Sequence, residues 1–203
     1  MSKENELDLS RRDFLKIIGG TAALLAFPSI VMNACKEQIQ KVSSAVPVIW
    51  IQGQSCSGCS VSLLNSIKPD VPTLITQYIS LNFHQTMSGG TGDSLIQVLT
   101  DAVKRKRKDY ILVVEGSIPL AASSYCTLGL VNNKHVSIKD WLDQLSRHAK
   151  MIVAVGSCAT FGGIPGARGN KTEAKSVMDI IKSKKVINIP GCPTHPDWII
   201  GTL

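Results

Sequence analysis

Six cysteines are the residues of this 203-residue chain best suited to chemistry. Cys56 and Cys59 form a C-x-x-C pair with Gly58 inside it, while Cys158 and Cys192 follow far downstream as single residues. Such a pair brings two thiolates to one metal centre or closes one redox disulfide, and alone it does not separate the two. A 4Fe–4S cluster takes four cysteine thiolates, a demand that one close pair and two distant singles can meet. A tetrahedral structural zinc site is open to the same residues, although such sites usually show two close pairs. A thioredoxin-like dithiol would use Cys56 and Cys59 and leave Cys158 and Cys192 idle. Buried or disulfide-linked structural cysteines are the remaining reading.

The elements that must position these residues read as strands alternating with helices. Five apolar runs stand out: Pro47 to Gly53, Leu74 to Phe83, Tyr110 to Gly116, Met151 to Gly156 and Val186 to Pro190. Two of them, around Ile111-Leu112-Val113-Val114 and Ile152-Val153-Ala154-Val155, are continuously apolar, as strands covered on both faces are. Helical patterns fall between the runs at Ser94 to Lys108, Ile138 to Ala149 and Thr172 to Lys184. The first places Leu95, Val98, Leu99, Ala102 and Val103 on one face, with Asp93 as its expected N-cap. The alternation predicts an α/β fold, a doubly wound parallel sheet of about five strands. Strands one, four and five then run into the segments carrying Cys56 and Cys59, Cys158, and Cys192. That carboxyl edge is where open α/β sheets bind ligands.

Bulk properties narrow the class. The net charge is +7, and much of it is one run, Lys104-Arg105-Lys106-Arg107-Lys108. The run closes a helix, where cations meet the negative end of the dipole. No aromatic residue is interleaved to stack bases, so no nucleic-acid partner is expected. Near the start, Ser10-Arg11-Arg12-Asp13-Phe14-Leu15-Lys16 precedes an apolar stretch from Ile17 to Met32. This resembles a twin-arginine export signal. The stretch is shorter than the roughly 20 apolar residues of a spanning helix and contains Pro28. Residues 1–45 therefore read as signal peptide and linker, and 46–203 as the folded domain. Small residues at Val42-Ser43-Ser44-Ala45 offer one cleavage site. Asn33-Ala34-Cys35 offers a poor lipoprotein box in which a lipidated Cys35 would add membrane association. The export route resembled carries folded proteins, often with cofactors inserted, which weighs against disulfides and points to the periplasm.

Four segments together resemble the small subunit of nickel–iron hydrogenases, closest to periplasmic uptake forms and including the nickel–iron–selenium type. They are Cys56-Ser57-Gly58-Cys59-Ser60-Val61-Ser62-Leu63-Leu64, Val114-Glu115-Gly116-Ser117-Ile118-Pro119, the stretch from Gly156-Ser157-Cys158 to Gly163-Ile164-Pro165, and Pro190-Gly191-Cys192-Pro193. The likeness covers about residues 47 to 203. It implies a flavodoxin-like domain in which Cys56, Cys59, Cys158 and Cys192 bind the 4Fe–4S cluster nearest the active site. Hydrogen turnover would occur at a nickel–iron centre in a separate large subunit, its partner in a heterodimer. This chain would carry electrons between that centre and an external acceptor such as a cytochrome or membrane carrier, with no catalytic residue of its own. Members of the family continue further and bind two more clusters. One cluster is therefore expected here, with the multi-cluster C-terminal domain missing.

The chain departs from the family in places. Many members carry Glu before the first ligand, where this chain has Ser55. Oxygen-tolerant members add two cysteines at positions that match Gly58 and Gly163, so an ordinary cubane is expected. A flavin-binding flavodoxin-like module is an alternative, since Ser55, Ser57, Gly58 and Ser60 partly suit a phosphate loop. The cluster subunit of a quinone oxidoreductase complex is another, but that family typically has two adjacent cysteines and this chain has none. Among the other polar residues, His195 reads as a loop residue that caps the next helix or shapes the cluster pocket, and Cys126 as a packed thiol. Glu115 is either a proton relay, a contact to the large subunit or a satisfied hydrogen-bonding carboxylate. His84, His135 and His148 read as ordinary surface or packing residues.

Overall fold

The computed structural model describes residues 45–105 and 108–203. The expected signal segment, Cys35, and Lys106 and Arg107 of the basic run lie outside the described residues. Five parallel strands form one sheet: β1 (Val46–Gln52), β2 (Ile79–His84), β3 (Ile111–Glu115), β6 (Met151–Val155) and β7 (Val186–Ile189). Their order across the sheet is β2-β1-β3-β6-β7, with the reversal beside β1 that marks a doubly wound, flavodoxin-like sheet.

Alternation along each strand feeds two cores. Ile49 and Ile51 of β1, Leu112 and Val114 of β3, and Ile152 and Ala154 of β6 face one side. There they meet α2 (Gly92–Lys104) through Ile96 and Leu99, and α3 (Ile138–Ser146) through Trp141 and Leu145. Val48, Trp50, Val113 and Val153 face the other side, against Leu63 of α1 (Gly58–Leu64) and Ile199 of α6 (Pro196–Ile200). Burial on both faces is why these strands read as unbroken apolar runs.

Three expected elements are corrected. The run Leu74 to Phe83 is not one strand: Val71–Thr73 and Leu74–Tyr78 are helical, and only Ile79–His84 joins the sheet. Asp70 caps that turn by accepting from the Thr73 N–H at 2.9 Å, and Pro72 starts the helix with its fixed φ. Helix α2 begins two residues early, with Thr91 at the N-cap, so Asp93 sits in the first turn and acts by charge. The helix expected over Thr172 to Lys184 shrinks to α5 (Val177–Ile180), capped by Ser176. Residues 172–175 are committed elsewhere: Ile118 and Lys175 exchange backbone bonds of 3.0 and 2.9 Å, and Leu120 donates to Thr172.

Two elements were not read from the pattern. An antiparallel hairpin, β4 (Thr127–Val131) and β5 (Lys134–Ser137), turns through Asn132 and Asn133, both at positive φ. A short helix α4 (Gly156–Phe161) follows β6 directly, so Cys158 lies in its first turn rather than in a loop.

Candidate metal centre

The carboxyl edge of the sheet brings four cysteines together. Cys56 and Cys59 flank the start of α1, Cys158 opens α4, and Cys192 follows β7; all four line one cavity of about 80 Å³. Glu115 and the backbones of Gly116, Gly156 and Gly191 complete its wall. All four thiols are free.

Backbone shape turns the sulfurs into this cavity. Ser57, between the paired cysteines, adopts a left-handed conformation at φ 62°, a strained choice for a residue with a side chain. A Cβ on Gly156 would lie 2.6 Å from Cys59 Sγ, and one on Gly163 would lie 2.5 Å from Cys158 Sγ. Both glycines are at positive φ, so a side chain at either would meet strain as well as the sulfur. A Cβ on Gly58 would lie 3.1 Å from Cys56 Sγ.

Burial raises the Cys59 thiol pKa, with Glu115 and Cys56 adding to the rise, while donors from Thr194 oppose it. Burial also raises Cys158, helped by Cys192 and Cys56. Among the described residues, no three Cys, His, Asp or Glu side chains gather tightly enough to hold a single metal ion.

Beneath the paired cysteines lies a buried polar network. The Glu115 carboxylate, 2% exposed, accepts from Trp50 Nε1 (3.2 Å), Gln52 Nε2 (3.1 Å), Ser55 Oγ (3.1 Å), the Cys59 N–H (3.0 Å) and Ser60 Oγ. It is a satisfied carboxylate in the cavity wall, with its oxygens taken up by groups of this chain. His84 is fully buried, which decides its surface-or-packing reading for packing. Its Nδ1 accepts from the Thr86 and Met87 N–H groups at 3.1 and 3.3 Å. The proton therefore sits on Nε2, which donates to Ser60 Oγ at 3.0 Å. Ser60 also accepts from Gln52 Nε2 at 2.9 Å, so its one proton goes to Glu115 and its bonding capacity is full. Burial lowers the His84 pKa to about 4, Glu115 pulling the other way.

The family model described as NADH ubiquinone oxidoreductase, 20 Kd subunit, matches residues 56–203, a span holding all four cysteines. The chain belongs to this family. Within it, the chain is homologous to small subunits of nickel–iron and nickel–iron–selenium hydrogenases. It is 36% identical to the periplasmic NiFeSe hydrogenase small subunit of Desulfomicrobium baculatum, over 97% of this chain and 66% of that one. To the Hydrogenase-2 small chain of Escherichia coli K12 it is 35% identical, over 96% of this chain and 51% of the relative. The solved recombinant NiFeSe hydrogenase of Desulfovibrio vulgaris Hildenborough superposes with a TM-score of 0.75 at 41% identity, covering 78% of this chain and 58% of that one. The chain thus spans about half to two thirds of the length of these relatives.

The other singled-out residues of this family member fall away from the cavity wall. His195 is the N-cap of α6, its Nδ1 accepting from the Asp197 N–H at 3.3 Å. Cys126 packs against the core under the hairpin, and burial raises its thiol pKa. His135 is exposed and His148 half-buried. No sequence signal pointed to His84 or Gln52, since each lies alone at a strand end. Among the described residues, no helix is long and apolar enough to cross a membrane.

Proposed function

We propose that Cys56, Cys59, Cys158 and Cys192 hold one 4Fe–4S cluster, and that this chain is the electron-transfer small subunit of a nickel–iron hydrogenase. The observation that carries this reading is the convergence of four free thiols on one cavity at the carboxyl edge of the sheet, in a chain homologous to hydrogenase small subunits. Bound there, the cluster supplies one-electron exchange between the nickel–iron centre of a large subunit and an external acceptor. The chain's own residues do the rest. The four thiolates anchor the group, Glu115 fixes the Cys59 backbone from below, and Gly156 and Gly163 leave room for the Cys59 and Cys158 sulfurs.

The large subunit is proposed to seat on the apolar rim beside Cys158, where Phe161 and Ile164 are 72% and 87% exposed. Residues 1–45 are proposed as a twin-arginine signal and linker, directing residues 46–203 to the periplasm. That location is supported by the name of the Desulfomicrobium relative. The ubiquinone branch of the family is disfavoured because no two cysteines are adjacent. A flavin module is disfavoured because two cysteines occupy the first loop.

Anaerobic purification followed by iron, sulfide, zinc and flavin analysis tests the reading. About four irons and four sulfides per chain are expected from a single cubane. One zinc, or bound flavin without iron, refutes it.

A further inference from the structure

Thr194 is fully buried two residues beyond Cys192, between the end of β7 and the start of α6. Its carbonyl accepts from Ser62 Oγ of α1 at 2.6 Å, which ties the Cys192 segment to the Cys59 helix. Its hydroxyl oxygen lies 3.0 Å from the Ile189 carbonyl and 3.9 Å from Cys59 Sγ. The Thr194 backbone and hydroxyl both act to lower the Cys59 thiol pKa, against the larger rise from burial.

With Cys59 as a thiolate, that sulfur only accepts. The single hydroxyl proton of Thr194 then has two acceptors in reach, a carbonyl and a sulfur whose negative charge grows when an electron arrives. Hydrogen bonds to cluster sulfurs favour the reduced, more negative state and raise its potential.

We infer that Thr194 is a positioning residue that acts through Cys59, its hydroxyl setting how readily this site accepts an electron. The inference rests on the proposed cluster. One electron enters from the nickel–iron centre or the external carrier and later leaves by the other. The proton stays on Thr194 throughout, and only its acceptor shifts from the Ile189 carbonyl towards the Cys59 sulfur. No bond to oxygen is broken and no further reactant is consumed.

The test is an anaerobic redox titration of the full chain and of its variants, followed by electron paramagnetic resonance of the reduced state. Thr194→Val keeps the shape and the backbone N–H but removes the hydroxyl. Its reduction equilibrium is expected to become roughly tenfold less favourable, a downward shift of 59 mV for one electron. Thr194→Ser restores the hydroxyl and is expected to return the potential to that of the parent. If the valine chain does not fold, Thr194→Ala removes the same proton and carries the same expectation. Hydroxyl-free variants that load iron and titrate at the parent potential overturn the inference and leave the cluster reading intact. A parent chain without iron and sulfide overturns both.

Discussion

Replacing Glu115 with Gln tests whether the buried network holds the paired cysteines in place. The substitution keeps volume and shape but turns one carboxylate oxygen into an NH2 donor. On one side the amide would face Ser55 Oγ and the Cys59 N–H; on the other, Trp50 Nε1, Gln52 Nε2 and Ser60 Oγ. A serine hydroxyl can turn round, but a backbone N–H and an indole N–H cannot. Ser60 has no freedom either, since His84 and Gln52 already fill its acceptor capacity. The less costly orientation opposes the amide to the Cys59 N–H and leaves that donor buried without a partner. An orphaned buried donor costs about 1–3 kcal/mol, and bonds that lose a charged acceptor weaken further, for a total of about 2–4 kcal/mol. For a chain of this size, each kcal/mol lowers the melting temperature by about 2–4 °C. Anaerobic thermal unfolding followed by circular dichroism should therefore show E115Q melting roughly 4–16 °C below the parent. A melting point within about 1 °C of the parent at equal iron content would refute the reasoning, because the network would then contribute nothing to the Cys59 turn.

Cys158→Ser should abolish iron binding, whereas Cys126→Ser, packed beneath the hairpin, should leave it unchanged; equal iron content in the two variants would sink the ligand assignment. Gly156→Ala and Gly169→Ala form a matched pair, with φ +88° and +86°, but a Cβ meets Cys59 Sγ at 2.6 Å at the first and nothing within 4 Å at the second. Both should lose about 1–2 kcal/mol from left-handed strain, and only Gly156→Ala should also lose iron. His84, at about 4 in the fold against an ordinary 6.5, stays neutral when folded while the unfolded chain takes up a proton. Its contribution is thus present above pH 6.5 and lost as pH falls towards 4, by up to roughly 3 kcal/mol. Urea titrations across that window should show a steeper loss in the parent than in His84→Gln, and parallel curves would contradict the buried neutral imidazole.

What could be read from sequence was whatever repeats or is chemically rare. Strands β3 and β6 announce themselves because both faces are buried, so every position is apolar. Cysteine is scarce enough that four at strand ends stood out before any geometry was known. Elements governed by local competition were harder. Leu74–Tyr78 is as apolar as a strand, yet Asp70 and Pro72 fold it into a helix. Thr172–Lys175 has a helical pattern, but its backbone is spent on the 118–121 segment. The supporting network was the least legible part. Trp50, Gln52, Ser60, His84 and Glu115 come from β1, α1, β2 and β3, and separations of up to 65 positions hide their adjacency. Only the pairing of β1 with both β2 and β3 brings them together.

That network also bears on what the cavity can hold. Burial raises the Cys59 and Cys158 thiols, so each gives up its proton less readily than a free cysteine until a positive group is bound beside it. The cysteines at positions 56 and 59 are set by the left-handed Ser57 and by Glu115, which fixes the Cys59 N–H. Those at 158 and 192 are set by the bond from the Ser157 N–H to the Gly191 carbonyl at 2.8 Å. Thr194 joins the two halves through Ser62 and Cys59. The two halves are thus spaced by the sheet, which puts β1 and β7 on opposite sides of β3 and β6, and not by contact between the sulfurs. The proposed cluster would therefore meet four cysteines placed by the backbone of three separate strands' ends. At Gly163 the backbone admits no cysteine as it stands, because the incoming Cβ alone would meet Cys158 Sγ at 2.5 Å.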